Sequence, residues 1–267
     1  MLLAIDSGNT NIVFAVFDKS GEMRGEWRSA TNVNRTADEL WVWLTHLMQL
    51  AEIDRSDIDA AIVATVVPST LFNLKTLCRR YFGVDPLIVG KEGIKLGIEI
   101  FLDNPEKAGA DRIANAIGAQ TLYGGPLIVI DFGTATTFDV VDENGNYCGG
   151  AIAPGINLSL EALQQAAAML PPIAIAKPER IIGKSTTPAM QSGVYWGYVG
   201  LIEGLIERVK SEFESENAGV RKMKVVATGG LAPLFAEATS LIDHTDLDLT
   251  MKGLLEIHRR NSDQCPA

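Results

Sequence analysis

The chain has 267 residues, 47% hydrophobic and 21% charged, which is ordinary for a globular protein with one large domain or two modest ones. Its formal net charge of -10 and the absence of any long Lys/Arg run speak against non-specific nucleic-acid binding. No apolar stretch approaches the roughly 20 residues needed to span a bilayer, so no membrane partner is expected.

Leu2–Ile5 and Ile12–Phe17 are predicted strands. Asp18-Lys19-Ser20-Gly21 predicts a turn into a third strand, Met23–Arg28, so the first sheet should begin as an antiparallel meander. Thr36, with Glu39 three residues later, has the form of a capping box. Leu40, Trp43, Leu44, Leu47, Met48 and Ala51 recur behind it at helical spacing. Ala60–Val66 reads as a buried strand closed by Pro68, Leu71–Tyr81 as a helix and Pro86–Val89 as a strand. Asn104-Pro105 breaks the chain before a helix over Asp111–Leu122.

The second half repeats the scheme. Leu127–Ile130 and Thr137–Asp142 are strands, Glu143-Asn144-Gly145 a turn, and a third strand falls around Tyr147–Ile152. Helical patterns cover Leu158–Leu170 and Ala189–Phe213. Lys224–Thr228 is a strand ended by Gly229-Gly230, and Leu254–Arg260 a final helix. The order β-β-β-α-β-α thus occurs about twice. It predicts an α/β protein of two domains, 1–121 and 122–260, with a flexible tail over 261–267. A single mixed sheet with helices on both faces is the competing reading.

Cys78, Cys148 and Cys265 form no C-x-x-C pair and no zinc spacing, which fits a reducing compartment. His46, His244 and His258 stand apart and read as structural or surface residues. The start of the sequence runs into a strand without a charged n-region or cleavage site. A cytoplasmic protein is expected.

Two segments resemble each other: Asp6-Ser7-Gly8-Asn9-Thr10-Asn11 and Asp131-Phe132-Gly133-Thr134-Ala135-Thr136-Thr137. Each sets an Asp at the end of an apolar strand, then a glycine, then amide or hydroxyl side chains. An Asp there can hold Mg2+ directly or through water, since that ion takes oxygen ligands. The glycine permits close approach to a phosphate. Either segment alone could be a plain hairpin turn; the recurrence favours a paired grip on a nucleotide. A third segment, Val225-Val226-Ala227-Thr228-Gly229-Gly230, could let an adenosine lie against backbone.

In this order the three segments resemble the superfamily of actin, heat-shock ATPases and sugar kinases, and within it the type III pantothenate kinases. The same family pattern covers Val66-Val67-Pro68, Asn104-Pro105, Gly109-Ala110-Asp111-Arg112, Gly149-Gly150 with Ile152, Pro154-Gly155, and Gly183 with Ser185-Thr186. The resemblance runs from residue 2 to about 258. It implies two RNase-H-like (actin-like ATPase) domains with mixed sheets flanked by helices and ATP in the interdomain cleft. It implies ATP-dependent phosphorylation of pantothenate, the first step towards coenzyme A. Asp6, Ser7, Gly8, Asn9, Thr10, Asn11, Ile12, Val13 and Thr134 would bind ATP, with Asp6 also serving Mg2+. Asp131 would hold a monovalent cation, K+ or NH4+. Asp111 would be the base, and Leu102, Gly109, Ala110, Asp111, Arg112 and Thr186 would contact the substrate in a homodimer. An Arg112 guanidinium would match the pantothenate carboxylate. Leu102 stands where the family often has a tyrosine, and Ala64-Thr65 where it often has two serines.

Other signals fail. Gly183-Lys184-Ser185 lacks the earlier glycine of a phosphate-binding P-loop, because that position is Pro178. No G-x-S-x-G occurs. The stretch Leu160–Leu170, with Met169, reads as core or interface. Gly193, Gly197, Gly200 and Gly204 would share a helix face, for a dimer contact or for packing within the chain. A catalytically idle regulatory relative and a phosphohydrolase of the same superfamily are the alternative functions; retention of Asp6, Asp111 and Asp131 argues against the first, and Gly109-Ala110-Asp111-Arg112 against the second.

Overall fold

The computed structural model describes residues 1–166, 171–217, 219 and 221–262. The predicted end of the Leu158–Leu170 helix with Met169, Cys265 and most of the expected tail lie outside these residues.

In chain order the first half holds β1 (Leu2–Ser7), β2 (Asn11–Phe17), β3 (Met23–Ala30), α1 (Ala37–Leu50), β4 (Ala60–Thr65), α2 (Leu71–Leu77), β5 (Leu87–Ile88) and α3 (Ala110–Tyr123). Thr36 caps α1 as expected. The Glu39 amide donates to Thr36 Oγ1 at 3.3 Å, and the Thr36 amide donates to Glu39 Oε2 at 2.8 Å. The helix predicted to Tyr81 changes after Leu77 into a wider π turn, Cys78–Phe82, and stops at Gly83, whose φ is 72°.

The second half holds β6 (Leu127–Phe132), β7 (Ala135–Val141), β8 (Tyr147–Pro154), α4 (Ile156–Ala166), α5 (Thr186–Glu216), β9 (Lys224–Thr228), α6 (Ala232–Ala236), β10 (His244–Thr245) and α7 (Leu249–Ser262). β10 and the short α6 carry too few residues for any periodicity to show.

The strands form two five-stranded sheets, β3-β2-β1-β4-β5 and β8-β7-β6-β9-β10. In each, the first three strands are antiparallel and the last two run parallel to the first. The meander strands are 6, 7 and 8 residues long in both. β1 and β6 also share one burial pattern, buried throughout except at their fifth residue, Asp6 and Asp131. The single-sheet alternative is therefore excluded, and the duplication stands.

The first unit comprises Met1–Leu122 and the chain from Asp248 onward; the second is Tyr123–Leu247. Strand alternation sorts the first sheet's side chains. Leu3, Ile5, Phe14 and Val63 pack with Leu40, Leu44 and Met48 of α1 and Leu74 and Leu77 of α2. Leu2, Ala4, Ala15, Ile62 and Ala64 face the other way, onto Ile113, Ala114 and Ile117 of α3 and Met251, Leu254 and Ile257 of α7. In the second unit Ile128, Ile130, Phe138, Val225 and Ala227 pack against Tyr195, Val199, Ile202 and Ile206 of α5 and Phe235 of α6.

The last helix thus differs from expectation twice. It begins five residues earlier than predicted, and it packs on β1 and β4 rather than with the second half. The reason is a close crossing with α3. A Cβ at Gly253 would lie 1.9 Å from the Ala114 carbonyl oxygen, and one at Gly118 would lie 2.7 Å from that of Leu249. Backbone meets backbone there, which only glycine permits. Gly253→Ala is therefore expected to cost about 1–3 kcal/mol, the range for overpacking, read as a lower urea midpoint with an unchanged slope.

Candidate active site

Asp6 continues the row Leu2–Ala4, so it lies on the α3/α7 face of the first sheet at the carboxyl end of β1. Its Oδ1 is buried. The turn that follows is closed by the Gly8 amide donating to the Asn11 carbonyl at 3.0 Å. Thr31 pins it from the side, its hydroxyl donating to the Gly8 carbonyl at 2.7 Å. Asn9, Thr10 and Asn11 are exposed at the tip, whereas Ser7 and Ile12 are buried.

Ser7 faces inward, its hydroxyl 2.9 Å from that of Thr70. Thr70 Oγ1 donates to the Val67 carbonyl at 2.8 Å, and the Val67 amide donates to Thr65 Oγ1 at 3.0 Å. The Val66 amide donates to the Ser7 carbonyl at 3.1 Å. The Val66-Val67-Pro68 motif is thereby a buttress: it fixes the end of β1, and with it the first turn. Thr65 supplies the hydroxyl this network uses.

Asp111 occupies the first turn of α3, whose Ala110 packs in the same cluster as Ala4 and Ala64. Asp6 and Asp111 therefore share one face of the first sheet. Burial raises the Asp111 pKa above 3.8, opposed by the Arg112 backbone amide, which donates to Oδ1 at 2.7 Å, and by the Arg112 charge. Gly109 makes room for this carboxylate, since a Cβ there would lie 2.7 Å from Oδ1. Leu102 is half-buried in the preceding loop.

In the second unit Asp131 ends β6 as Asp6 ends β1. The Gly133 amide donates to the Ala135 carbonyl at 3.1 Å, and the Gly155 amide to the Thr134 carbonyl at 3.2 Å. Thr134 is exposed and Thr136 buried; the Thr136 and Tyr198 hydroxyls share a short hydrogen bond, tying β7 to α5. Two glycines crowd this turn. A Cβ at Gly155 would lie 2.3 Å from the Thr134 carbonyl, and one at Gly229, where φ is +88°, would lie 2.8 Å from Asp131 Oδ1. So Gly229 sits against the second carboxylate, a placement that sequence signals did not reveal. Thr186 is exposed as the first residue of α5.

Each of the two strand-end carboxylates offers oxygen atoms, the ligand type that hard cations take. Among the described residues no group of three His, Cys, Asp or Glu side chains is placed to hold a metal.

Residues 2–208 match the family model described as type III pantothenate kinase. The chain belongs to the type III pantothenate kinase family. It is 66% identical over 262 residues to the type III pantothenate kinase of Paramagnetospirillum magneticum, covering 98% of both chains. It is 63% identical over 261 residues to that of Rhodospirillum rubrum, covering 98% of this chain and 99% of the relative. Among solved structures it resembles a Campylobacter jejuni protein assigned to a Baf family of transcriptional activators, with a TM-score of 0.60 and 19% identity over 98% of this chain and 99% of the other. It also resembles the activator of 2-hydroxyisocaproyl-CoA dehydratase from Clostridium difficile, with a TM-score of 0.52 and 14% identity over 100% and 98%. These two likenesses show the fold alone.

The raised Asp111 pKa has a consequence for stability. The folded chain holds this proton more tightly than the unfolded one. That contribution is complete below the ordinary carboxylate value and is lost as pH rises through the raised folded value. Asp111→Asn should therefore gain stability relative to wild type as pH climbs from 3.8 to neutrality, measured by urea unfolding at a series of pH values.

Proposed function

We propose that the chain phosphorylates the terminal hydroxyl of pantothenate with ATP, the family's reaction at the head of coenzyme A synthesis, and that Asp111 is the catalytic base. The observation that carries this reading is the Asp111 site. A desolvated carboxylate with a raised pKa stands at the start of α3, with its Oδ1 in the space that a Cβ at Gly109 would crowd. Such a group suits proton transfer better than an exposed Asp.

In this reading Asp111 takes the hydroxyl proton as the substrate oxygen bonds to the γ-phosphorus and the bond to the β–γ bridging oxygen breaks, releasing ADP. Arg112 pairs with the pantothenate carboxylate, and Leu102 and Thr186 complete the substrate contacts. The exposed Asn9, Thr10 and Asn11 and the backbone of Gly8 through Val13 hold the phosphates beside Asp6, and Thr134 contacts ATP. A bound Mg2+ would sit on Asp6 and a monovalent cation on Asp131, each neutralising phosphate charge. Catalysis is then mainly positioning and charge compensation.

The expected result is that Asp111→Asn lowers pantothenate-dependent ADP release by about a hundred- to ten-thousandfold, the usual contribution of a general base, with the fold retained. Phosphopantothenate formed at the wild-type rate would remove Asp111 from this role. Phosphate release without pantothenate would favour a phosphohydrolase.

The active form in this reading is a homodimer in the cytoplasm. Gly193, Gly197 and Gly200 lie exposed along α5, and a Cβ at any of them would meet nothing within 4 Å. Packing within the chain therefore does not explain them. Ile152, Ile181 and Ile182 of the same unit are exposed apolar side chains, at 65%, 69% and 76%. Close helix packing by a second copy would cover such a glycine face. Cys78 and Cys148 are free thiols, as a reducing compartment favours, and no described helix is long and apolar enough to cross a membrane. Gly197→Arg should shift a dimer to monomer in sedimentation; a wild-type monomer would overturn the assignment.

A further inference from the structure

The two strand-end carboxylates have the same place in the fold but different neighbours. Asp6 is paired across β2 with Val13 and across β4 with Ala64. Asp131 is paired across β7 with Thr137 and across β9 with Thr228. Directly paired residues project on the same face of a sheet. The second unit therefore carries a row of hydroxyl, carboxylate and hydroxyl where the first carries a carboxylate between two apolar side chains.

A second difference lies one step behind this row. Thr137 Oγ1 donates to Asp139 Oδ2 at 3.0 Å, and Tyr147 Oη donates to Asp139 Oδ1 at 2.8 Å. Asp139 and Tyr147 are both fully buried. The corresponding position in the first unit is Ala15, opposite Ala4 as Asp139 is opposite Val129. A carboxylate only accepts, and a threonine hydroxyl has one proton to give. With that proton committed to Asp139, the Thr137 oxygen offers only lone pairs in other directions.

We propose that Thr137 and Thr228 supply neutral oxygen ligands to the monovalent cation at Asp131, and that Asp139, braced by Tyr147, is the positioning residue that keeps Thr137 an acceptor. This rests on the reading of Asp131 as the cation ligand. One carboxylate with neutral oxygens gives a site of low charge and several ligands, which suits a large univalent ion. A carboxylate whose cross-strand neighbours are apolar, as at Asp6, gets no further oxygen from them, so an ion there keeps its waters, which suits Mg2+. The difference in ion at two copies of one motif thus follows from the residues on either side.

The test uses the intact protein and two measurements: thermal unfolding in KCl, NaCl and choline chloride at equal ionic strength, and the potassium activation constant in the pantothenate assay. Wild type should melt highest in KCl. Thr137→Val and Thr228→Val should each raise the activation constant by about ten- to a hundredfold, the usual scale for altered metal surroundings, and shrink the KCl-specific rise in midpoint. Thr137→Ser should keep both near wild type. Asp139→Asn, which offers Thr137 an N–H as well as an oxygen, should narrow the preference for potassium over sodium; an unchanged preference removes Asp139 from the proposal. The two threonines lie on different strands, so a valine variant that does not fold leaves the other to decide. If Asp131→Asn loses the potassium response while both valine variants keep it, the hydroxyls are not ligands and the Asp131 reading survives. If wild type responds equally to KCl and NaCl in both measurements, that reading fails and the proposal with it.

Discussion

Each central strand, β1 and β6, is covered on both faces, so a charge on it is tolerable only at its end. Four residues in a row, Leu2–Ile5 and Leu127–Ile130, are completely or almost completely buried. Burying an unpaired carboxylate among them would be very costly. The fifth residue, next to the strand's last, is the first that is not buried, and that is where both runs of apolar residues place an Asp. The constraint that builds the core therefore also fixes where the two carboxylates proposed to serve phosphate and metal can stand. The tight glycine turns, the hydroxyl buttress of Ser7, Thr65 and Thr70, and the crowding glycines at 155 and 229 all serve to hold these two ends.

The Asp111 carboxylate obeys a different rule. It sits on a helix start rather than a strand end, and its helix is held by α7 through the Gly118–Gly253 crossing. A residue far along the sequence thereby sets the height at which the proposed base stands. Its burial disfavours the charged form, which costs stability at neutral pH. Retaining a destabilising carboxylate at this position makes sense if proton affinity is what it contributes.

Much of this was legible from residues alone, because the duplicated unit is written in local patterns: apolar runs of strand length, a capping box at Thr36, and an Asp followed by Gly. The family resemblance rested on those same short motifs. What stayed hidden depends on distant partners. Nothing local tells that residues 249–262 pack on β1 and β4, that Gly229 abuts Asp131, or that Ser7 turns inward to Thr70. β10 has two residues and α6 five, too few to show a period. The glycines of α5 read equally as internal or external packing until the space around them was known.

The route of the chain has a consequence for how the protein is made. The second unit is one continuous segment, Tyr123–Leu247, whereas the first is closed by a helix that follows it. On a ribosome the first sheet forms early with Leu2, Ala4 and Ile62 lacking their α7 cover, which emerges only after the whole second unit. The half that carries Asp6 and Asp111 is begun before the second unit and closed only after it, so a chain that stops short of α7 exposes apolar surface on that half and leaves α3 without its crossing partner.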